Sequence, residues 1–294
     1  MPTMSSTPYP SELLDTAVAA ARAGAEVLCR YFGSDELIVD RKAANDFVSQ
    51  ADRESEEAVV GEILRRHPSH RVLAEESGHR GGDGDFEWIV DPLDGTTNFL
   101  QGLPVFCVSV AVRHEGRTLA GAVLDPTRDD LFTAAAGGGA ARNGRPMRVS
   151  AHQRLEGAFL ATGYPFKAKQ VLDLYLGIFG DALSVAKAIR RCGSAALDLA
   201  YTAAGVYDGF FEFRLSAWDL AAGALLIEEA GGALSDLDGG DRYLFGGNVV
   251  AGTRGVHGEL LATARRHADE ATLDRRAPHC APALLEPTVE ATVG

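Results

Sequence analysis

The chain has 294 residues, of which 46% are hydrophobic, and this is enough for one large or two moderate globular domains. Its formal net charge of −13 at pH 7 argues against general affinity for nucleic acid, because backbone phosphates would be repelled. No apolar run approaches the roughly 20 residues of a membrane-spanning helix and the start lacks a signal-peptide pattern, so we expect a cytoplasmic protein.

Two helical patterns and a short apolar piece occupy the first part of the chain. Apolar residues recur at three- and four-residue intervals across residues 14–28, which predicts a first helix. A strand-like piece follows at 37–39, and a second helical pattern covers 49–67, before a proline. Asp52 falls in the first turn of this second helix, where an acid interacts favourably with the helix dipole.

Two predicted strands end in carboxylates. One short apolar strand ends at Glu75, and another short apolar run ends at Asp91, which is followed by Pro92 and Asp94. The proline disfavours the helical region for Asp91, so the chain leaves the strand extended and can direct both aspartates to one point. Acids at a strand end are typical of a metal site, although an Asp-Pro turn with a capped helix accounts for the same residues.

The next residues favour a phosphate site beside these acids. Gly95 permits a tight turn, and Thr96-Thr97 can begin a short helix whose free N–H groups face outward. A helix start of this kind attracts anions, phosphate above all. A divalent metal next to a phosphate is the arrangement that phosphate-ester hydrolysis requires.

Strands dominate the chain up to Ser150, and strands then alternate with helices. A hairpin pattern covers 137–146, and its arginines are assigned no catalytic role because a solvated turn explains them. The alternation after Ser150 predicts an α/β half. We therefore divide the chain into an N-terminal α+β half with most metal ligands, a C-terminal α/β half and a disordered tail, at 1–150, 151–270 and 271–294.

The second half supplies one further acid to the candidate site. A helical run begins after Ser216, and Asp219 follows three residues later with the spacing of a capping box, so a purely structural Asp219 is one interpretation. The other interpretation joins it to Glu75, Asp91 and Asp94. A hydrolase with two metal ions could be built from these four acids, with Asp91 bridging the ions.

At this point the sequence resembles the inositol monophosphatases. The signature Trp-Ile-Val-Asp-Pro-Leu-Asp-Gly-Thr-Thr-Asn-Phe stands at 88–99, and a second signature begins with Trp-Asp-Leu-Ala-Ala-Gly at 218–223. Further matching segments lie at 46–52, 75–77 and 193–196. The resemblance runs from about residue 12 to 268 and is closest to the bacterial inositol-1-monophosphatase branch. It implies the layered α-β-α-β-α sandwich of the inositol monophosphatase and fructose-1,6-bisphosphatase type, paired as a homodimer.

The resemblance implies two or three Mg²⁺ ions in each active site. Glu75, Asp91 and the Leu93 carbonyl would hold the first ion, and Asp91, Asp94 and Asp219 the second. A weaker third ion would touch Glu75 through water.

The resemblance also assigns roles in the reaction. Glu75 and Thr96 would orient the attacking water, and Asp52 would support its deprotonation through Thr96. The phosphate would lie on the N–H groups of Gly95 and Thr96.

The resemblance places the polyol hydroxyls against four positions, namely Asp94, Ala195, Glu212 and Asp219. Lys42 matches a basic position on a loop near the metals. The expected reaction is hydrolysis of inositol 1-phosphate, with inhibition by lithium and by excess magnesium.

Two departures from the family pattern leave the substrate open. Ser194 stands where some members have threonine, and Arg214 occupies a variable rim position. Sister branches with the same ligands act on histidinol phosphate, fructose 1,6-bisphosphate or phosphoadenosine phosphate. A different alternative is a transcription-antitermination binding factor in which catalysis is secondary, since some bacterial relatives are thought to join such complexes.

Overall fold

A computed structural model describes residues 10–34, 38–43, 46–165 and 168–268 of the protein. The helices in these ranges are α1 (Pro10–Tyr31), α2 (Gln50–Arg66), α3 (Thr96–Leu100), α4 (Leu172–Val185), α5 (Ala195–Ala203), α6 (Ala217–Glu229), α7 (Tyr243–Gly246) and α8 (Arg254–His267). The strands are β1 (Val39–Ala43), β2 (Asp46–Ser49), β3 (Arg71–Ala74), β4 (Gly78–Gly81), β5 (Phe86–Asp94), β6 (Cys107–His114), β7 (Arg117–Asp125), β8 (Asp130–Ala135), β9 (Gly139–Arg142), β10 (Arg145–Pro146), β11 (Phe159–Thr162), β12 (Ala188–Arg190), β13 (Gly209–Glu212), β14 (Ala233–Ser235) and β15 (Val249–Gly252).

The strands form a two-stranded ribbon and two larger sheets. An eight-stranded sheet has the order β10-β9-β8-β7-β6-β5-β3-β4, in which the β3–β5 pair is parallel and its other pairs are antiparallel. A five-stranded sheet has the order β12-β11-β13-β15-β14, in which β11 is parallel to both of its neighbours.

The helices lie on both faces of the sheets and produce five layers. Helices α1 and α2 cover one face of the large sheet through a core that includes Leu13 and Trp88. Helices α5 and α6 lie between the two sheets around Leu199 and Phe210, and α4 and α8 pack together outside the smaller sheet. The predicted layered sandwich is therefore confirmed.

Most predicted elements of the first half are present, with two differences at strand ends. Strand β1 begins at Val39, two residues after the start of the strand predicted at 37–39, and residue 37 lies outside the described part of the chain. The loop predicted at 81–85 begins inside β4, which pairs with β3. Strand β4 has two glycines and no alternating apolar pattern, so periodicity gave no sign of it.

Strand β5 continues past Asp91, where the sequence predicted that the strand ends. It runs through Pro92 to Asp94, and its pairing with β6 is interrupted between Asp91 and Asp94. Proline has no N–H group to donate to a neighbouring strand, which suits this irregularity in the ladder. The extended conformation predicted for Asp91 is present, and the chain turns at Gly95, as predicted.

The large sheet and the small sheet share the core around α5 and α6, so the predicted division near residue 150 does not separate two cores. The boundary itself stays a prediction. The tail predicted at 271–294 lies outside the described residues. In the described ranges, no helix combines the length and the apolar character that are needed to cross a bilayer.

Candidate active site

Three carboxylates converge at the end of β5. Asp91 and Asp94 belong to this strand, and Asp219 lies in the first turn of α6. One carboxylate oxygen from each lies within 4.8 Å of those from the other two. A shared metal requires Asp219 to lie within about 8 Å of Asp91, and this condition is met.

The donor set and its electrostatics fit a hard divalent cation. Asp91 and Asp94 are only 1% and 8% exposed. Burial, followed by the charges of Glu75, Asp94 and Asp219, raises the pKa of Asp91 well above its ordinary value, and burial also raises the pKa of Asp94. A bound cation would relieve the repulsion among these groups, and Mg²⁺ prefers such oxygen ligands.

The start of α5 holds Asp94 in place. The Ser194 hydroxyl donates to Asp94 Oδ2 at 2.6 Å, and the Ala196 N–H donates to the same oxygen at 2.7 Å. Ser194 is also the N-cap of α5, where it accepts from the Leu197 N–H. These bonds join the two halves of the chain at the acid cluster and orient the Asp94 carboxylate.

Asp52 and Thr96 are neighbours, as the sequence predicted. The Thr96 hydroxyl lies 3.2 Å from Asp52 Oδ1 and 3.2 Å from the Leu93 carbonyl oxygen. Asp52 is fully buried, and its other oxygen accepts from the Ser49 N–H at 2.8 Å. Thr96, which lines the cavity, is thus oriented from α2.

Gly95 makes the turn between the acids and α3 possible. Its φ of 100° lies in a region that side chains with a Cβ rarely adopt. A Cβ at this position would also approach the Val105 carbonyl oxygen to 2.9 Å. Glycine is therefore required here both by the backbone conformation and by the close packing of the neighbouring chain.

A single cavity gathers the remaining predicted residues. Besides the three acids, it is lined by Glu75, Leu93, Gly95, Thr96, Ala195 and Glu212. The cluster of three close oxygens does not include Glu75, whose assignment as a metal ligand stays a prediction.

Glu212 lies on the cavity wall against Gly163. Its carboxylate lies so close to Gly163 that an added Cβ there would meet the Oε1 atom at 1.9 Å. Burial is the largest cause of a pKa raised well above the ordinary value for Glu212. Gly163 therefore leaves the space that Glu212 occupies.

Helix α2 contributes two polar side chains that the sequence analysis missed. The Ser55 hydroxyl donates to the Pro92 carbonyl oxygen at 2.8 Å. The buried Glu56 carboxylate accepts from the N–H groups of Glu76 and Ser77 at 2.7 and 2.9 Å, next to Glu75. Together with Asp52, these residues follow the i, i+3, i+4 spacing of one helix face, which was the available signal.

The cavity also contains Arg191 and Asp198, which were not predicted. The Arg191 guanidinium carbon lies 5.2 Å from the centroid of the Tyr164 ring, and its charge opposes the raised pKa of Glu212. Asp198 is 2% exposed, and its Oδ1 has no hydrogen-bond partner among the described residues. Asp198 lies in the first turn of α5, where the helix dipole offered a sufficient structural explanation.

Two further residues named from the sequence lie at the periphery. Arg214 lines the cavity rim with a positive φ of 65°, and its N–H donates to Asn248 Oδ1. Lys42 is part of β1, but its side chain lies outside the described part of the structure.

The sequence pattern of the inositol monophosphatase family matches residues 10–270. The chain belongs to this family. The acid cluster and the turn at Gly95 are therefore those of an inositol monophosphatase family member, as the resemblance implied.

Known members of the family are similar over nearly their full length. Nus factor SuhB from Salmonella typhimurium is 48% identical over 261 residues, which cover 88% of this chain and 98% of the relative. The crystal structure of the extragenic suppressor protein suhB from Bartonella henselae is 41% identical, with a TM-score of 0.84 over 87% of this chain and 99% of that chain. The inositol monophosphatase from Anabaena (Nostoc) sp. is 37% identical, with a TM-score of 0.79 over 89% of this chain and 98% of that chain.

Proposed function

We propose that this protein is a Mg²⁺-dependent phosphatase that hydrolyses a small phosphate monoester, with inositol 1-phosphate as the first candidate. The observation that carries the proposal is the convergence of Asp91, Asp94 and Asp219 within 4.8 Å. The relatives support it, since the chain belongs to the inositol monophosphatase family.

Five groups would hold the metal ions, namely the Glu75, Asp91, Asp94 and Asp219 carboxylates and the Leu93 carbonyl. When bound, Mg²⁺ would supply positive charge next to the phosphate and the leaving oxygen. Burial, followed by repulsion from Glu75, Asp94 and Asp219, raises the pKa of Asp91, and the relief of this repulsion supports the binding of such a cation.

The protein's own groups would position the attacking water and the phosphate. Glu75 lines the cavity and would accept a hydrogen bond from the water. Thr96 would orient the same water. Asp52 would accept a hydrogen bond from the Thr96 hydroxyl, from which it lies 3.2 Å away. The N–H groups of Gly95 and Thr96 would face the phosphate oxygens.

Substrate choice would depend on Glu212 and Ala195, which line the cavity together with the acids. Glu212, the Ala195 backbone, Asp94 and Asp219 can each form hydrogen bonds with hydroxyls, so they suit a leaving group that is a polyol. Because the buried Glu212 would lack a partner with an apolar leaving group, such esters should be poor substrates. Histidinol phosphate, fructose 1,6-bisphosphate and phosphoadenosine phosphate remain alternatives.

A substrate panel in Mg²⁺ tests the proposal. We expect inositol 1-phosphate to be hydrolysed, EDTA to abolish turnover and added Mg²⁺ to restore it, with inhibition by lithium and by excess Mg²⁺. Full turnover in EDTA, at concentrations that inactivate other magnesium enzymes, would refute the mechanism.

The variant Asp94→Asn tests the metal cluster directly. Asparagine keeps an oxygen that can accept from Ser194 and Ala196 but removes the charge, so the rate should fall about a hundredfold or more. Stability without metal should hold or rise, because repulsion within the cluster decreases. Asp173→Asn, at an exposed position of α4, is the matched control and should keep wild-type activity.

A second candidate function is binding within a transcription-antitermination complex. The observation in its favour is the 48% identity to a relative named Nus factor SuhB. A phenotype that depends on binding alone should survive Asp94→Asn, whereas one that depends on hydrolysis should be lost. Pull-down from lysate with wild-type and variant protein separates the two functions.

Two proposals about the protein's state accompany these functions. We infer a cytoplasmic location and a homodimer in the manner of the family. Size-exclusion chromatography with light scattering tests the dimer, and a monomer at micromolar concentration would exclude it.

A further inference from the structure

Gly163 and Glu212 lie side by side on the wall of the active-site cavity. Gly163 directly follows the end of β11 at Thr162, and Glu212 is the last residue of β13. The two strands are parallel, and Thr162 is the register partner of Phe211, so the same register brings Gly163 opposite Glu212. Residues that lie opposite each other in neighbouring strands face the same side of the sheet.

The Glu212 carboxylate occupies the place where a side chain at position 163 would begin. A Cβ built on Gly163 would lie 1.9 Å from Oε1, 2.0 Å from Cδ and 2.2 Å from Oε2 of Glu212. These distances are far below the roughly 3.5–4.0 Å at which non-bonded carbon atoms attract each other. A side chain at position 163 and the observed position of the Glu212 carboxylate therefore exclude each other.

The backbone at Gly163 does not itself require glycine. Its φ lies outside the positive region that favours glycine, so alanine can adopt the same conformation. The three atoms closest to the added Cβ belong to one flexible side chain, whereas at Gly95 the closest atom is the Val105 carbonyl oxygen. The room left for the Glu212 carboxylate is thus the constraint that remains at position 163.

The Glu212 carboxylate can move without a change of fold. It is the end of a long side chain that can change rotamer, and Glu212 is 9% exposed and lines the cavity. The metal-binding acids belong to other elements, since Asp91 and Asp94 lie in β5 and Asp219 lies in α6. A side chain at position 163 should therefore displace the Glu212 carboxylate and leave the acid cluster in place.

We propose that Gly163 is a specificity-determining residue, which leaves the space that keeps the Glu212 carboxylate in position to accept hydrogen bonds from a polyol leaving group. This inference rests on the proposed phosphatase function. Glu212 contacts the leaving group rather than the phosphate or the metal ions. Its displacement therefore lowers the turnover of polyol esters and spares esters whose leaving group is apolar.

The variant Gly163→Ala tests this inference with two matched esters. Cyclohexyl phosphate has the six-membered ring of inositol 1-phosphate without its hydroxyl groups. We expect kcat/KM for inositol 1-phosphate to fall at least about tenfold, because the hydroxyls lose an acceptor. The value for cyclohexyl phosphate should stay within about twofold of wild type or rise, because the acid that lacks a partner in that complex has moved. Phosphate release in Mg²⁺ measures both.

Two further substitutions separate the effect on Glu212 from a general effect of alanine. Gly180→Ala is the matched control, since an added Cβ on this residue of α4 would meet no atom within 4 Å, and it should leave the substrate preference unchanged. Glu212→Ala removes the carboxylate outright and should lower kcat/KM for inositol 1-phosphate as Gly163→Ala does. Adding Gly163→Ala to Glu212→Ala should then change kcat/KM by less than about twofold.

Each outcome decides the inference. If Gly163→Ala does not fold, the double variant carries the test, and it should fold with the preference of Glu212→Ala because the steric conflict is gone. Wild-type protein that hydrolyses neither ester would refute the proposed function and this inference together. Four results would refute the inference alone: equal hydrolysis of both esters by wild type, wild-type preference in folded Gly163→Ala, additive effects of the two substitutions, or a double variant that does not fold.

Discussion

The starts of α2 and α6 share a local structure and differ in their surroundings. In each helix an aspartate follows the N-cap serine by three positions, and the serine N–H donates to the aspartate Oδ2, at 2.8 Å for Ser49 and Asp52 and at 2.6 Å for Ser216 and Asp219. The other oxygen of Asp52 accepts from the Thr96 hydroxyl, whereas an oxygen of Asp219 joins the acid cluster. The same cap therefore directs an aspartate to Thr96 in one helix and to the acid cluster in the other.

Asp219→Asn should give the largest effect. Asparagine keeps an oxygen for the Ser216 N–H, so the cap persists, but the cluster loses a charge. The rate of phosphate release at saturating Mg²⁺ should fall about a hundredfold or more, with unfolding free energy within about 0.5 kcal/mol of wild type. Near-normal turnover by the folded variant would mean that Asp219 is only a cap.

The pH dependence of Mg²⁺ affinity should be the second-largest effect. Burial raises the pKa of Asp91 well above its ordinary value, so protons compete with the cation at a higher pH than for an exposed acid. Affinity should weaken by up to about tenfold for each pH unit below that pKa. Calorimetric titration with Mg²⁺ between about pH 8 and pH 5 measures this dependence. Proteins are generally most stable in roughly this range.

Without metal, the raised pKa values of Asp91 and Asp94 should make the folded state more stable as the pH falls, whereas Mg²⁺ affinity decreases in the same direction. The folded state binds protons at Asp91 and Asp94 more tightly than the unfolded chain, because their folded pKa values are raised. The contribution of these groups to unfolding free energy therefore increases as pH falls through the folded pKa values. Comparing wild type with Asp94→Asn in EDTA isolates this contribution, and identical pH profiles would contradict it.

Asp52→Asn should affect turnover less and stability more. Asparagine weakens the charge-assisted bonds from Ser49 and Thr96 at a fully buried position. We expect a loss of about 1–3 kcal/mol in unfolding free energy and a rate reduction of about tenfold. Urea denaturation and steady-state kinetics measure the two effects. A rate loss as large as that of Asp219→Asn would place Asp52 among the reacting groups.

Ser49→Ala should give the smallest effect, limited to stability. It removes the hydroxyl that donates to Asp52 Oδ2 at 2.5 Å and caps α2, at a cost of about 0.5–2 kcal/mol. Turnover at saturating substrate should change less than for Asp52→Asn. A larger kinetic than thermodynamic effect would show that the cap itself positions Thr96.

The long helices and the alternating strands could be predicted because their hydrophobic faces repeat regularly. Helix α1 has a continuous buried stripe, and strands β6 to β8 follow turns with recognisable residues. Strand β4 and helix α7 are short and lack such a repeat, so tertiary pairing decides their structure. Pro92, through which β5 continues, likewise accepts a hydrogen bond from Ser55, which is distant in sequence.

The acids of the candidate site could be named from their positions at element ends, and the family motif added Asp52, Ala195 and Glu212. The hydrogen bonds that hold these acids in place could not be predicted from the sequence. The bonds from Ser194 to Asp94 and from Glu56 to the turn after Glu75 join segments that no local pattern connects. Each of these polar residues, taken alone, could be explained by a purely structural role.

One face of α2 contacts three separate segments of the site through Asp52, Ser55 and Glu56. Each added residue rotates a helix by about 100°, so the angular phase of α2 determines all three contacts at once. Conservative replacements along its exposed side leave that phase unchanged. A single-residue insertion or deletion between Glu56 and Val59 would instead rotate the polar face by about 100° relative to the buried residues Val59, Val60 and Ile63, and so turn it away from the β5 turn. The site is therefore far more sensitive to the length of this helix than to its composition.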